Sequence, residues 1–227
     1  MPPRTIAIGD VHGCAPALNA LLDRIRPRPD DTIVTLGDYV NRGPDSRGVL
    51  DRLIALEQEC RLVPILGNHD HVLLAALDGE PQAFGDLIDM GGKATLASYG
   101  ATQLTESDLK RIPEAHRNFL RRCRDYYETP THLFVHAQYN PNLPIDEQFG
   151  DTLRWCSLRD RRPGPHTSGK RAIVGHSSQK SGEILDLGHI VCIDTFCYGG
   201  GWLTALDVNT GEIWQVDRLG RPRPDDK

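Results

Sequence analysis

No stretch of this 227-residue chain is apolar over the ~20 residues needed to cross a bilayer, so no membrane segment is expected. None of its cysteines (Cys14, Cys60, Cys123, Cys156, Cys192 and Cys197) forms a C-x-x-C pair. That excludes the spacing of a zinc knuckle or a thioredoxin-type redox motif and leaves buried thiols as the ordinary expectation. The chain also lacks a basic excess, with 26 Lys and Arg against 31 Asp and Glu, a formal net charge of -5. A general binder of nucleic acid or of an anionic membrane surface would favour the opposite balance, so neither partner is expected. The one strongly basic segment, Arg159 to Arg171, reads as a solvated loop. There is no internal repeat and no linker that would divide two domains. The opening MPPRTIAIGD enters an apolar strand at once and leaves no room for a signal peptide, so a cytoplasmic location is expected.

What is present is a strand-helix alternation. After Asp10, Leu18, Leu21, Leu22 and Ile25 recur at helical spacing, and Pro27 and Pro29 end the run. After Asp38, Val49, Leu50, Leu53, Ile54 and Leu56 form a second helical stripe, and HDHVLLAAL opens a third after Asn68. This is a βαβαβα opening, whose right-handed crossovers make the three strands parallel. Residues 79 to 129 read as a helical excursion that either shapes a substrate cleft or only covers the sheet. The last part alternates short strands with Gly and Asn-Thr-Gly turns, antiparallel features expected on a second sheet. A single domain over 1–220 is expected, with a disordered tail over 221–227.

Five short apolar runs end on a metal-ligand residue: TIAI at Gly9-Asp10-Val11-His12, TIVTL at Gly37-Asp38, LVPIL at Gly67-Asn68, LFV at His136 and AIV at Gly175-His176. An α/β sheet gathers polar groups at one rim in this way. Each residue alone has a plain explanation, such as a helix cap or a turn, but type, strand position and glycine flank coincide too often for chance. Two divalent ions sharing a water make a nucleophile at neutral pH and neutralise phosphate oxygens. Asp10 and His12 can point at one ion, Asp38 can bridge, and Asn68, His136 and His176 can hold the second. The mixed nitrogen and oxygen donors suit Mn2+ first, then Fe or Zn, over Ca.

GDVHG, GDYVNRG, GNHD, VHA and GH together resemble the motifs of the calcineurin-like metallophosphoesterases, from Ile6 to about Ala205. More narrowly they resemble the phosphoprotein phosphatases in their compact bacterial and phage form. The resemblance implies a four-layer α/β/β/α sandwich, two mixed sheets flanked by helices, with a dinuclear site at the strand rim. It implies Asp10, His12 and bridging Asp38 on one ion, and Asp38, Asn68, His136 and His176 on the other. It makes His69 the proton donor to the leaving oxygen and Arg42 a phosphate clamp, a role that guanidinium geometry suits. A second phosphate arginine is expected between VHA and GH, where Arg154 and Arg159 both stand.

Three departures from the family pattern stand out. Asn41 replaces the Asp that pairs with the catalytic His in eukaryotic phosphatases, so Asp70 or Asp45 is a candidate to assist His69. Gln138 follows VHA in place of Gly, and Ser178 stands where phosphodiesterase branches have a second His. The expected activity is hydrolysis of phosphomonoesters, phosphoserine or phosphothreonine in proteins or a small phosphorylated substrate, by direct attack of a hydroxide bridging two metals. Symmetrical diadenosine tetraphosphate hydrolysis is the alternative. Cys14 lies beside the site and Cys197 near it, so oxidation sensitivity is expected there.

Overall fold

A computed structural model describes residues 2–224. The first half runs β1 (Thr5–Ile8), α1 (Ala15–Ile25), β2 (Thr32–Thr35), α2 (Ser46–Leu56), β3 (Arg61–Pro64) and α3 (Asn68–Leu77). The excursion follows as α4 (Ala83–Leu87), a π turn at Ile88–Gly92, α5 (Lys93–Ser98), a 3-10 turn at Glu106–Arg111 and α6 (Glu114–Arg121). Its end is not helical: β4 (Tyr126–Glu128) pairs antiparallel with β5 (His132–Val135). Then come α7 (Gly150–Trp155), β6 (Arg171–Val174), β7 (Leu185–Asp186), β8 (Ile190–Cys192), β9 (Asp194–Thr195), β10 (Trp202–Asp207) and β11 (Ile213–Val216).

Two mixed sheets result. One has the order β11-β10-β1-β2-β3, with β9 on β10; the other has β4-β5-β6-β8-β7. β1, β2 and β3 are parallel, as their helical crossovers require. The β10–β11 hairpin, expected on the second sheet, instead joins the first, antiparallel to β1 with Ile6 opposite Asp207. In the second sheet β5, β6 and β8 are parallel, and only β4 and β7 run the other way.

The strand sequences explain the layering. Period-2 alternation sends Ala7, Val34, Val63, Phe134, Ile173 and Val191 into the inter-sheet core. Ile6, Ile8 and Ile33 face the other way and pack under α1 and α2 through Leu18, Leu21, Leu50 and Leu53. The outer face of the second sheet is covered by Tyr139, Leu153 and Leu158, from α7 and its flanking loops. The layers are therefore α/β/β/α, with a thick helical cover on one side and a thin one on the other.

Part of the segment expected as a disordered tail is paired. Pro222 bridges Val216, and the Arg223 N–H donates to the Gln215 carbonyl at 3.1 Å. The rest of that segment, 225–227, lies outside the described residues.

Candidate dinuclear metal centre

Asp10, His12, Asp38, Asn68, His136 and His176 all lie just past the carboxyl ends of β1, β2, β3, β5 and β6, where the two sheets meet. Five of the six are buried to within 4% of full. Two groups of potential ligand atoms share one carboxylate: His12, Asp38 and His69 on one side, Asp38, His136 and His176 on the other. Asp38 Oδ2 faces His12 Nε2 at 3.4 Å, and Oδ1 faces His136 Nε2 at 3.5 Å. Asn68 Oδ1 lies 3.0 Å from both His136 Nε2 and His176 Nδ1.

The ring orientations are set by main-chain carbonyls. His12 Nδ1 sits 3.0 Å from the Val40 carbonyl and His136 Nδ1 2.7 Å from that of Leu36. A ring that donates there must turn its Nε2 lone pair inward. His176 Nε2 lies 3.1 Å from the Trp155 carbonyl, which leaves Nδ1 for the centre. Burial pushes His12 and His176 down to about 3 and His136 down to about 4, so all three imidazoles are neutral at working pH.

The glycine flanks have a geometric cause. A Cβ on Gly67 would collide with the Asp38 carboxylate, and one on Gly175 with that of Asp10. Only glycine lets the neighbouring strand end come this close. Positive φ concentrates at the same rim: His12 (44°), Asp38 (52°), Asn41 (70°), Arg42 (69°) and His176 (58°). Each costs roughly 1–3 kcal/mol, a local strain that marks functional turns and is held by the surrounding sheet.

These residues fit a pair of divalent cations. Burial pushes Asp38 up to about 8, and burial followed by the charges of Asp194 and Asp38 holds Asp10 far above the usual carboxylate range. Neutral lone-pair nitrogens converge on the buried Asp38 carboxylate, whose only ion-pair neighbours among the described residues are histidines, with Arg42 countering its charge only in part. A bound divalent ion supplies that missing charge.

The neighbouring groups divide into those at the centre and those beside it. His69 Nε2 lies 3.9 Å from Asp38 Oδ2, and its backbone N–H donates to Asp38 Oδ1 at 3.0 Å. Burial and then the adjoining His12 and Arg42 hold His69 neutral. Asn41 Nδ2 is 3.0 Å from His69 Nδ1, and the Asn41 Oδ1 accepts from Thr95 Oγ1 at 2.8 Å. Arg42 Nη2 is 3.2 Å from His69 Nε2, while Nη1 donates to the Tyr198 hydroxyl and the guanidinium lies over that ring. Asp70, a candidate helper of His69, is engaged elsewhere: it accepts from the N–H groups of Tyr39 at 2.9 Å, Val40 at 3.3 Å and Gly67 at 3.1 Å. Asp45 caps α2 by accepting from the Gly48 N–H at 2.8 Å. Arg154 pairs with Asp125, and Arg159 donates to the Ser178 carbonyl. Gln138 donates to the Ser157 carbonyl at 3.3 Å, away from the centre.

Sequence reasoning missed Asp194. It is buried beside Asp10, accepts from Ser178 Oγ at 2.6 Å and from the Phe196 N–H at 3.1 Å, and so ties the Gly-His turn to the β8–β9 junction. Its only signal is its place in Ile193-Asp194-Thr195, shortly before the Gly199-Gly200-Gly201 run. Cys14 and Cys197 are both buried, and the Cys14 thiol donates to the His12 carbonyl at 3.5 Å.

Comparison with known proteins agrees with this geometry. The family model for calcineurin-like phosphoesterases matches residues 3–224. A symmetrical bis(5'-nucleosyl)-tetraphosphatase from Pseudomonas putida (strain GB-1) is 47% identical over 269 residues, covering 94% of this chain and 92% of the relative. Its namesake from Acidovorax sp. (strain JS42) is 51% identical over 73 residues, 32% of this chain and only 25% of the length of that relative. Among solved structures, a candidate diadenosine tetraphosphatase has a TM-score of 0.71 at 24% identity, covering 99% of this chain and 97% of the other. A cold-active protein-tyrosine phosphatase of a psychrophilic Shewanella species has a TM-score of 0.68 at 16% identity, covering 98% and 80%. At such identities the structural likeness speaks for the fold alone. From the ligand rim, the two-sheet sandwich and the near-complete family match, the chain belongs to the calcineurin-like phosphoesterases.

Proposed function

We propose that this chain hydrolyses symmetrical dinucleoside tetraphosphates to two nucleoside diphosphates. The carrying observation is the 47% identity to the Pseudomonas putida enzyme across 94% of this chain. The phosphoprotein reading has weaker support, since the protein phosphatases among the structural neighbours are 15–17% identical and share the fold alone.

Asp10, His12 and Asp38 would hold one cation, and Asp38, Asn68, His136 and His176 the second, with Mn2+ the first choice for this donor set. Such a pair, when bound, supplies an activated water at neutral pH and neutralises phosphate charge. The chain's own groups do the rest. Arg42 grips phosphate oxygens in a fork that also reaches His69 and Tyr198. Thr95 orients the Asn41 amide so that its N–H2 faces His69 Nδ1. With Nδ1 accepting from that amide, the neutral ring carries its proton on Nε2, and Arg42, which can only donate, gives up its 3.2 Å approach to Nε2 when it turns to the phosphate. From Nε2 the proton passes to the departing phosphate oxygen. Asn41 thus selects a tautomer where an Asp would supply charge. Asp70 keeps its place as a brace, holding the Asp38 and Asn68 turns in register through three main-chain N–H groups.

The test is a comparison of diadenosine tetraphosphate and a phosphoserine peptide on the purified chain with Mn2+. The expected result is ADP as the sole nucleotide product and a kcat/KM at least about a hundredfold higher for the dinucleotide, a gap of about 2.7 kcal/mol in transition-state binding. A preference for the peptide, or release of ATP and AMP, overturns the reading.

A further inference from the structure

Beside the metal centre, between α3, α4 and the end of α7, lies a cavity of about 390 Å³. Its walls adjoin both sides of the centre. Trp155 lines it, and the Trp155 carbonyl is the main-chain partner of His176 Nε2 at 3.1 Å. Met90 lines it too, and the next residue, Gly91, accepts at its carbonyl from the Arg42 N–H at 3.2 Å.

Its chemistry is uneven. Trp155, Met90, Val72 and Ala75 give it an apolar lining, interrupted by His71, whose burial lowers its pKa, and Trp155 is 39% exposed. The rim carries the carboxylates of Glu80, Asp86 and Asp89. A phosphate would be repelled there, while a flat, uncharged ring bearing amino groups would stack on the indole and donate to the carboxylates. The volume falls within the range of small-ligand sites.

We propose that this cavity receives a nucleobase of the substrate, with Trp155 as its stacking platform and the acidic rim as acceptor for exocyclic amines. The inference rests on the dinucleotide reading and assigns the excursion a direct part in binding. It also orients the substrate: one base in the cavity, the polyphosphate running toward Arg42.

The experiment compares the wild-type protein with Trp155→Ala and Trp155→Phe. Both substitutions keep the main-chain carbonyl that meets His176. Each protein is assayed on diadenosine tetraphosphate and on p-nitrophenyl phosphate, which has no base. The ratio of the two kcat/KM values is expected to fall about tenfold in Trp155→Ala, mostly through KM for the dinucleotide, and to recover largely in Trp155→Phe. ADP is expected to quench tryptophan fluorescence in the wild-type protein, with the quench lost in Trp155→Phe although Trp202 and Trp214 remain. An unchanged ratio in a protein whose wild type cleaves the dinucleotide overturns the base site and leaves the proposed activity standing. A wild type that cleaves p-nitrophenyl phosphate but not the dinucleotide overturns both.

Discussion

Strand β2 is bracketed by two buried aspartates, Asp31 before it and Asp38 after it, exposed by 0% and 2%. Their surroundings are opposite. Asp31 accepts from Arg4 Nη2 at 2.6 Å, Arg28 Nη2 at 2.8 Å and the Arg28 N–H at 2.9 Å. Burial alone would raise its pKa, but these arginine bonds outweigh it and hold the carboxyl well below its ordinary value. Asp38 has only histidines as ion-pair neighbours among the described residues, and burial pushes it up to about 8. One end of the strand is neutralised by the chain itself and serves the fold. The other end is left without such neutralisation, as the proposed cation site requires. The same contrast separates Arg4 and Arg28, spent on ion pairs with Asp31, from Arg42, whose guanidinium meets His69 and Tyr198 instead of a carboxylate.

Asp38→Asn should separate the two ends most sharply. Loss of the shared ligand is expected to lower kcat/KM at least about a hundredfold, since even outer-sphere partners of a metal site cost 10–100-fold. The metal-free variant should be no less stable than wild type. A carboxyl whose folded pKa is raised loses stability as pH climbs from its unfolded value toward its folded one, and Asn does not. Thermal melts with and without Mn2+ check this: the ion should raise the Tm of wild type and leave that of Asp38→Asn nearly unmoved.

Asp31→Asn should do the reverse. Removing the carboxylate that Arg4 and Arg28 share leaves Arg28 only Asp30 at 3.7 Å as an anionic partner and Arg4 only carbonyl partners, so the urea midpoint should fall, with kcat retained in the folded fraction. The sign with pH follows from the depressed pKa. The Asp31 contribution is full above the unfolded carboxylate value near 3.8 and disappears as pH falls through the lower folded value. The gap between wild type and variant should therefore close in acid. A gap that widens there would show that Asp31 does not act through its charge.

The smallest effect is expected from Asn41→Asp, which adds a carboxylate to the rim that lacks compensation. A negative charge beside His69 Nδ1 favours the imidazolium, so the limb of the pH–rate profile that reports His69 should move to higher pH, with a severalfold change in kcat at neutral pH. A profile that does not move would remove His69 from the proton transfer.

Much of the centre was legible along the chain because a ligand that follows Gly at a strand end is a local pattern. The glycine, the positive φ and the donor belong to one turn, as at Gly37-Asp38 and Gly175-His176. Asp70 misled because a carboxylate next to a catalytic-type histidine looks like its helper, whereas a helix start at Asn68 directs it back to the N–H of Gly67. The β10–β11 hairpin was placed on the other sheet because alternation and turns define a hairpin without saying which edge it joins. Asp194, Tyr198 and Trp155 carried no comparable signal.

Residue order alone determined the parallel opening and the family, and it singled out the candidate donors and the bridging place of Asp38, since each signal is a short motif at a strand end. Tertiary structure alone decided that Asp31 would find two arginines, that the β10–β11 hairpin would join the first sheet, and that Trp155 would open beside His176. Those outcomes depend on how two sheets and a helical excursion pack across distances that no local pattern encodes.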